Sequence, residues 1–444
     1  MKSQRIEIGV KKELQQMVKD GRLQDKEIYA MGSISNIAHL DDILKKYRMS
    51  ISMIVDNDPQ KKGRHLYKEK EYEIVDANYF FRKRNKNTVL LIYSIRFWCE
   101  MKDQMIRHGL KEFLDFYVLE SLTLNKKKMY VERGYSLLGK IRRKYGEDAF
   151  ILAFHGPIGD NYLFSLFCRQ YLAENGIGNY VCVGTSVTKK IINLFGFPQF
   201  VLLEREDFLA LEYLYMFLGS ELEGVKFLQI WEFAFHFNRD RIRFGREFNF
   251  MDTYRDYVYC LHDNREPAFP VFSTCTKKVA ATFKRMGLEK GNTVIVSPYA
   301  YSIQKQPPKL FWIKLVDALL ERGKKVVMNI NPKAEKNFIS KIPVLKFPVE
   351  DSVPYLEYAG GFIGMRSGLC DVISSAACRK LLLYPKEDLT TIDYDRHRAD
   401  KEFGGLQAMG LTDQVIELEY DMSDSSQDWH GFVELVMEAW ENGI

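Results

Sequence analysis

A chain of 444 residues, 46% of them apolar and 14% aromatic, is globular and too long for one ordinary core, so two or three domains are expected. The formal charge of +5 is mild at this length and does not by itself make a nucleic-acid binder, while seven cysteines without a Cys-x-x-Cys pair argue against a disulfide framework or a zinc site and for a reducing compartment. The polar start Met1-Lys2-Ser3-Gln4-Arg5 is no signal peptide, and no run of about 18 uncharged apolar residues marks a transmembrane helix, so a cytoplasmic protein whose membrane contact is peripheral is expected.

Residues 4–20 read as a helix ending at Asp20-Gly21, and Glu27 to Gly32 as a strand and turn. A helix over 35–47 carries Ile37, Leu40, Ile43 and Leu44 on one face. Ile51 to Asp56 is a second strand running into Asp56-Asn57-Asp58-Pro59, Thr88 to Tyr93 a buried strand, and 95–108 a helix. Strands alternating with helices imply a parallel sheet with crossover connections. In such a unit a nucleotide sits at the carboxyl ends of the strands, which places Gly32, Ser33 and Asp56 at a candidate nucleotide site. Only one glycine stands where the dinucleotide fingerprint has three, so a structural or docking role competes. The stretch resembles the small N-terminal domains of sugar-modifying acyltransferases.

Residues 121–147 form a basic connector with Lys126, Lys127, Lys128, Arg133, Lys140, Arg142, Arg143 and Lys144. This is either a solvated helix or a surface for anionic lipid or a lipid-diphosphate acceptor. A second α/β unit begins with the apolar strand Ala149 to Phe154, followed by His155-Gly156-Pro157-Ile158-Gly159-Asp160-Asn161 and a helix. Strands at 180–184, 200–203 and 227–230 alternate with helices at 188–195 and 207–219. The region 235–275 is irregular and rich in Arg and aromatics. A third unit has strands at 293–297, 325–329 and 362–363, with 381–385 as the last core strand, and helices at 311–322 and 351–359. A C-terminal helix at 430–441 is expected to cross back onto the preceding domain.

Gly360 to Ala376 reads as a strand, a tight turn and a helix. Gly364 and Gly368 permit close backbone approach, and Ser367 and Asp371 suit a helix start. Backbone N–H groups beside the Arg366 guanidinium would hold a phosphate or diphosphate. The same pattern also fits a structural corner in which Arg366 pairs a neighbouring acid.

Two α/β units around a cleft, with these motifs, resemble GT-B glycosyltransferases, and residues 148–444 resemble the heptosyltransferase type and related polysaccharide glycosyltransferases. The residues that carry the likeness are Gly159-Asp160 after the first strand, Ser297, Ser302 and Lys305, Glu321-Arg322-Gly323 before Val326-Val327, and Arg366-Ser367-Gly368-Leu369-Cys370-Asp371. The family's turn reads Asp-Thr-Gly-Leu-x-His; Arg366 and Asp371 depart from it, which makes ADP-heptose an unsuitable substrate. The resemblance implies an α/β GT-B fold with an extra N-terminal Rossmann-like domain, divided as 1–120, the connector 121–147, an acceptor domain 148–285 and a donor domain 286–444. It implies transfer of a sugar from a nucleotide-sugar donor to a lipid-linked or protein glycan acceptor in bacterial cell-surface glycan assembly, with no metal, no cofactor and no nucleic-acid partner. Resemblance makes Asp160 the general base; a strand–helix turn equally suits a helix cap, and His155 is a competing base. The diphosphate would be held by Ser302, Lys305, Arg366, Ser367, Gly368, Leu369 and Asp371, although Lys305 also reads as ordinary loop charge. Gly364-Met365-Arg366 is similar to a turn of polysaccharide pyruvyl transferases, which use phosphoenolpyruvate. A non-catalytic nucleotide-binding scaffold is the third alternative.

Overall fold

The computed structural model describes residues 2–67, 70–94, 98–119, 124–154, 156–218, 222–228, 249–261, 266–272, 274, 276–300, 306–330, 337–386, 401–421 and 428–442. The chain divides into two compact units, Met1–Lys140 with Leu209–Leu222, and Ile141–Phe208 with Glu223–Ile444.

The smaller unit holds a six-stranded sheet of β1 (Glu27–Gly32), β2 (Ile51–Val55), β3 (Gly63–Tyr67), β4 (Lys70–Val75), β5 (Thr88–Tyr93) and β6 (Phe116–Val118), in the order β3-β4-β2-β1-β5-β6. All pairings are parallel except β3 with β4. The continuous apolar run of β5 is buried at every position, as a strand covered on both faces must be. The helix Ile34–Lys45 presents Ile37, Leu40, Ile43 and Leu44 to this core, the face read from the sequence. The β3–β4 hairpin and β6 do not appear in the sequence reading. β3 is a polar edge strand whose residues alternate between exposed and half-buried, and β6 has three residues.

The larger unit holds two parallel sheets. The first consists of β7 (Phe150–Phe154), β8 (Tyr180–Gly184), β9 (Phe200–Leu202) and β10 (Val225–Leu228), in the order β10-β7-β8-β9. The second consists of β11 (Thr293–Ser297), β12 (Lys325–Asn329), β13 (Val344–Leu345), β14 (Gly360–Met365), β15 (Arg379–Pro385) and β16 (Ile416–Tyr420), in the order β13-β12-β11-β14-β15-β16. The second sheet has the strand order of a Rossmann fold, and its order reverses between β11 and β14. The first sheet reverses between β7 and β10. In such sheets ligands bind outside the carboxyl ends of the strands at the reversal point. The α/β fold class, with two Rossmann-like sheets preceded by a further one, is the one expected. Phe154, Tyr162 and Ile192 share one apolar cluster with Ile295, Val327 and Tyr384, so the two sheets of this unit are joined by a common core.

Two expectations are corrected here. Strand β16 lies beyond β15, so 381–385 is not the last core strand. The C-terminal helix Trp429–Asn442 does not cross back: Phe432, Val433, Val436 and Trp440 lie in the same cluster as Phe311, Trp312 and Val294 of the second sheet's own layer. The fit is close, since a Cβ on Gly361 of β14 would stand 2.8 Å from the Trp440 ring. Of the aromatic region 235–275, residues 235–248, 262–265, 273 and 275 lie outside the described residues; within it, a short helix Phe250–Asp252 continues as the π-helical stretch Thr253–Val258. Among the described residues no helix is long and apolar enough to cross a membrane.

Candidate active site

Strand β7 ends in Phe154, and the chain turns through Gly156 into the helix Ile158–Glu174. Gly156 has φ 149°, and a Cβ there would stand 2.8 Å from the Asp160 Cβ, so this turn requires glycine. Asn161 ties the turn down, its Nδ2 donating to the carbonyls of Gly156 at 2.8 Å and Pro157 at 3.0 Å. The helix cap is Pro157, which offers no side-chain acceptor, so Asp160 is not the cap. Its carboxylate lies in the first helical turn, where the helix dipole favours negative charge. Asp160 is 3% exposed, and the Tyr254 hydroxyl donates to its Oδ1 at 3.0 Å. Tyr254 belongs to the π-helical stretch and is wedged edge-on against Phe164 and Phe250. The sequence reading did not select Tyr254. Its legible signal was the Asn249-x-x-Asp252 capping box just before it, whose reciprocal hydrogen bonds of 2.9 and 3.0 Å start the short helix.

Strand β14 ends in Met365, and Arg366 to Leu369 turn into a helix of only five residues, Gly368–Val372. Of the two roles open to Arg366, its side chain takes the structural one. Nη2 donates to Asp371 Oδ1 at 2.6 Å, Nη1 to Asp371 Oδ2 at 3.2 Å and to the Ser367 carbonyl at 2.6 Å, and Nε to the Gly404 carbonyl at 2.8 Å. Arg366 is 7% and Asp371 2% exposed. Burial disfavours the guanidinium charge, and the Asp371 carboxylate overcomes this and holds its pKa above the ordinary value. The two charged groups, both read as diphosphate ligands from the sequence, face each other. Ser367 is the N-cap of this helix and Asp371 lies in its first turn. Ser367, Gly368 and Leu369 form the partly exposed rim of the turn.

The two turns meet. A Cβ on Gly368 would stand 2.5 Å from the Gly159 backbone nitrogen, and one on Gly159 would stand 2.5 Å from Asp371 Oδ2. Both glycines are needed for this approach, and the Asp371 carboxylate lies over the start of the Ile158–Glu174 helix, where its charge is favoured. Asp160, Arg366, Ser367, Gly368, Leu369 and Asp371 are thus brought to one place. His155, Ser302 and Lys305 lie outside the described residues. Ser297, at the end of β11, is buried in the sheet, paired with Gly364.

Gly32, Ser33 and Asp56 stand at the carboxyl ends of β1 and β2, next to the reversal point between β1 and β5. A Cβ on Gly32 would lie 2.2 Å from the Tyr93 carbonyl oxygen, so glycine serves the close approach of the two strand ends. Ser33 caps the Ile34–Lys45 helix, accepting from the Asn36 N–H at 3.4 Å. Asp56 accepts from the Asp58 N–H at 2.9 Å and from Lys61 at 3.2 Å. Each of the three has a structural employment. Among the described residues no three His, Cys, Asp or Glu side chains are grouped to hold a metal ion.

No protein-family model matches the chain, and no curated protein matches it. Solved structures do. The chain is similar to the E. coli ADP-heptose lipopolysaccharide heptosyltransferase II, at 12% identity and a TM-score of 0.44 over 66% of this chain and 99% of that one. It is similar to a family 9 glycosyl transferase from Veillonella parvula, at 14% identity and a TM-score of 0.46 over 66% and 96%. It is also similar to a UDP-N-acetylglucosamine 2-epimerase, at 9% identity and a TM-score of 0.35 over 66% and 87%. A fold does not fix a reaction, so the chemistry rests on the site's own residues.

Proposed function

We propose that this protein is a GT-B glycosyltransferase that moves a sugar from a nucleotide-sugar donor to an acceptor hydroxyl, without a metal, in the assembly of a bacterial cell-surface glycan or glycoprotein on the cytoplasmic side. The observation that carries the reading is the meeting, within one unit, of the Asp160 turn at the end of β7 with the Arg366–Leu369 turn at the end of β14. Both stand where parallel sheets of this order bind ligands. Asp160 takes the proton of the acceptor hydroxyl as that oxygen bonds to the anomeric carbon, and the nucleoside diphosphate leaves with the electron pair of the broken bond. The leaving diphosphate needs positive charge and donors, which Lys305, Ser302 and the Ser367–Leu369 rim supply. Arg366 acts through Asp371 and the Gly404 carbonyl, fixing the turn rather than touching the phosphates. The acceptor is a lipid-linked or protein-linked glycan.

One observation favours the non-catalytic scaffold instead: Asp160 is 3% exposed and the two glycine turns are in contact, so an acceptor reaches the carboxylate only if they part. Replacing Asp160 by Asn separates the readings. Loss of a general base lowers transfer by about 10²- to 10⁴-fold. Sugar transfer and donor hydrolysis that are unchanged in Asp160→Asn would remove the mechanism. Turnover that depends on phosphoenolpyruvate would replace it by pyruvyl transfer.

A further inference from the structure

We infer that the solvent face of the helix Leu124–Tyr145 is a docking surface for an anionic lipid bilayer. The helix carries eight basic residues and one acid, Glu132, so its charge of +7 exceeds the +5 of the whole chain and leaves the remainder slightly acidic. The helix thus carries a local excess of positive charge.

The helix is fixed in its seat, which determines what faces outward. Tyr130, Leu138 and Ile141 are buried, and Tyr130 stacks on Tyr213 with ring centroids 5.5 Å apart. A Cβ on Gly134 would stand 2.5 Å from the Ala210 carbonyl oxygen, so this glycine lets the helix Arg205–Leu218 lie directly against it. Away from this seat the helix exposes Lys126, Lys128, Arg133 and Lys140 together with Glu132, and Arg143 and Lys144 near its end. Between the basic ends, Met129 is 48% and Tyr135 50% exposed. Basic side chains flanking an outward methionine and tyrosine on a helix about 33 Å long suit the boundary between headgroups and acyl chains. Met129 and Tyr135, exposed among the basic residues, favour a bilayer over a nucleic acid, whose phosphates would be met by charge alone.

The inference stands independently of the glycosyltransferase reading. It is tested with the full chain by co-sedimentation with phosphatidylcholine vesicles with and without phosphatidylglycerol. Binding is expected only with the anionic lipid, and it is expected to fall as salt rises from about 0.01 M to about 1 M, where the Debye length shrinks from about 30 Å to about 3 Å. Each basic residue at the surface contributes about fivefold in affinity. The variant Lys126→Glu/Lys128→Glu/Lys140→Glu/Arg143→Glu should therefore lose detectable binding. The control Lys189→Glu/Lys190→Glu, exposed on another helix, should retain it. Met129→Ser/Tyr135→Ser should weaken binding and leave a salt-sensitive remainder. Three outcomes would overturn the inference: no binding of the wild-type chain to anionic vesicles at low salt, equal loss in the control, or salt-sensitive binding to a nucleic-acid duplex without binding to vesicles.

Discussion

Replacing Asp371 by Ala removes the carboxylate that pairs with Arg366 among the described residues and leaves a guanidinium that is 7% exposed. Its remaining partners would be the carbonyls of Gly404 and Ser367, which accept hydrogen bonds but do not balance a charge. Breaking a buried, hydrogen-bonded ion pair from one side costs about 3–5 kcal/mol. At about 2.1 cal/mol/K per residue, a unit of about 290 residues shifts its midpoint by about 1.6 °C per kcal/mol, so a fall of about 5–8 °C is expected. The intrinsic fluorescence of Trp312 and Trp440, both buried in the larger unit, follows its unfolding. The double variant Arg366→Met/Asp371→Ala leaves neither charge alone, so the two single effects should fall short of additivity by about 1–3 kcal/mol. Strictly additive effects, or an unchanged midpoint in Asp371→Ala, would refute the claim that Arg366 is spent on this pair.

Tyr254→Phe removes the hydroxyl that donates to Asp160 and leaves the ring in place, so sugar transfer should fall while the thermal midpoint of the larger unit is largely kept; an unchanged rate would mean that the hydroxyl does not act on the base. In the smaller unit Asp41 is fully buried; burial alone would raise its pKa, but Lys70, the Ile51 N–H and Lys45 overcome this and hold it below the usual carboxylate range. Its contribution to stability is therefore complete above the unfolded value of about 3.9 and is lost as pH falls through the lower folded value. Urea titrations should show this acid loss in the wild type and a flatter profile in Asp41→Asn. Gly368→Ala should destabilise the larger unit by about 1–3 kcal/mol, because its Cβ meets backbone and not a movable side chain; a neutral effect by thermal denaturation would show that the two turns are not in contact.

The buried parallel strands were legible because β5, β7 and β11 are continuous apolar runs, the pattern a strand covered on both faces must have. β16 was not legible. Its sequence Ile-Glu-Leu-Glu-Tyr reads as half exposed, yet Glu417 is buried, accepting from the Leu406 N–H at 2.7 Å and from the Tyr384 hydroxyl. At the site, Asp160, Arg366 and the two glycine turns stood out because glycine, acid and base follow apolar strands. What local pattern does not encode is how Gly159 and Gly368, far apart in sequence, meet and turn Asp371 toward Arg366 instead of toward a ligand. Tyr254 escaped because a single π-helical turn, with its i→i+5 bonds, does not follow the 3.6-residue period by which helix faces are read from sequence.

Nucleotide binding tests the glycosyltransferase reading most directly. The thermal midpoint of the full chain is to be measured against UDP, GDP, ADP, CMP, their sugar forms and phosphoenolpyruvate. A ligand that binds only the folded state stabilises it by about 2.7 kcal/mol at a hundredfold excess over its Kd. The account predicts a saturable rise with one nucleoside diphosphate and its sugar form. A rise with phosphoenolpyruvate alone, or with none of these ligands, would contradict it.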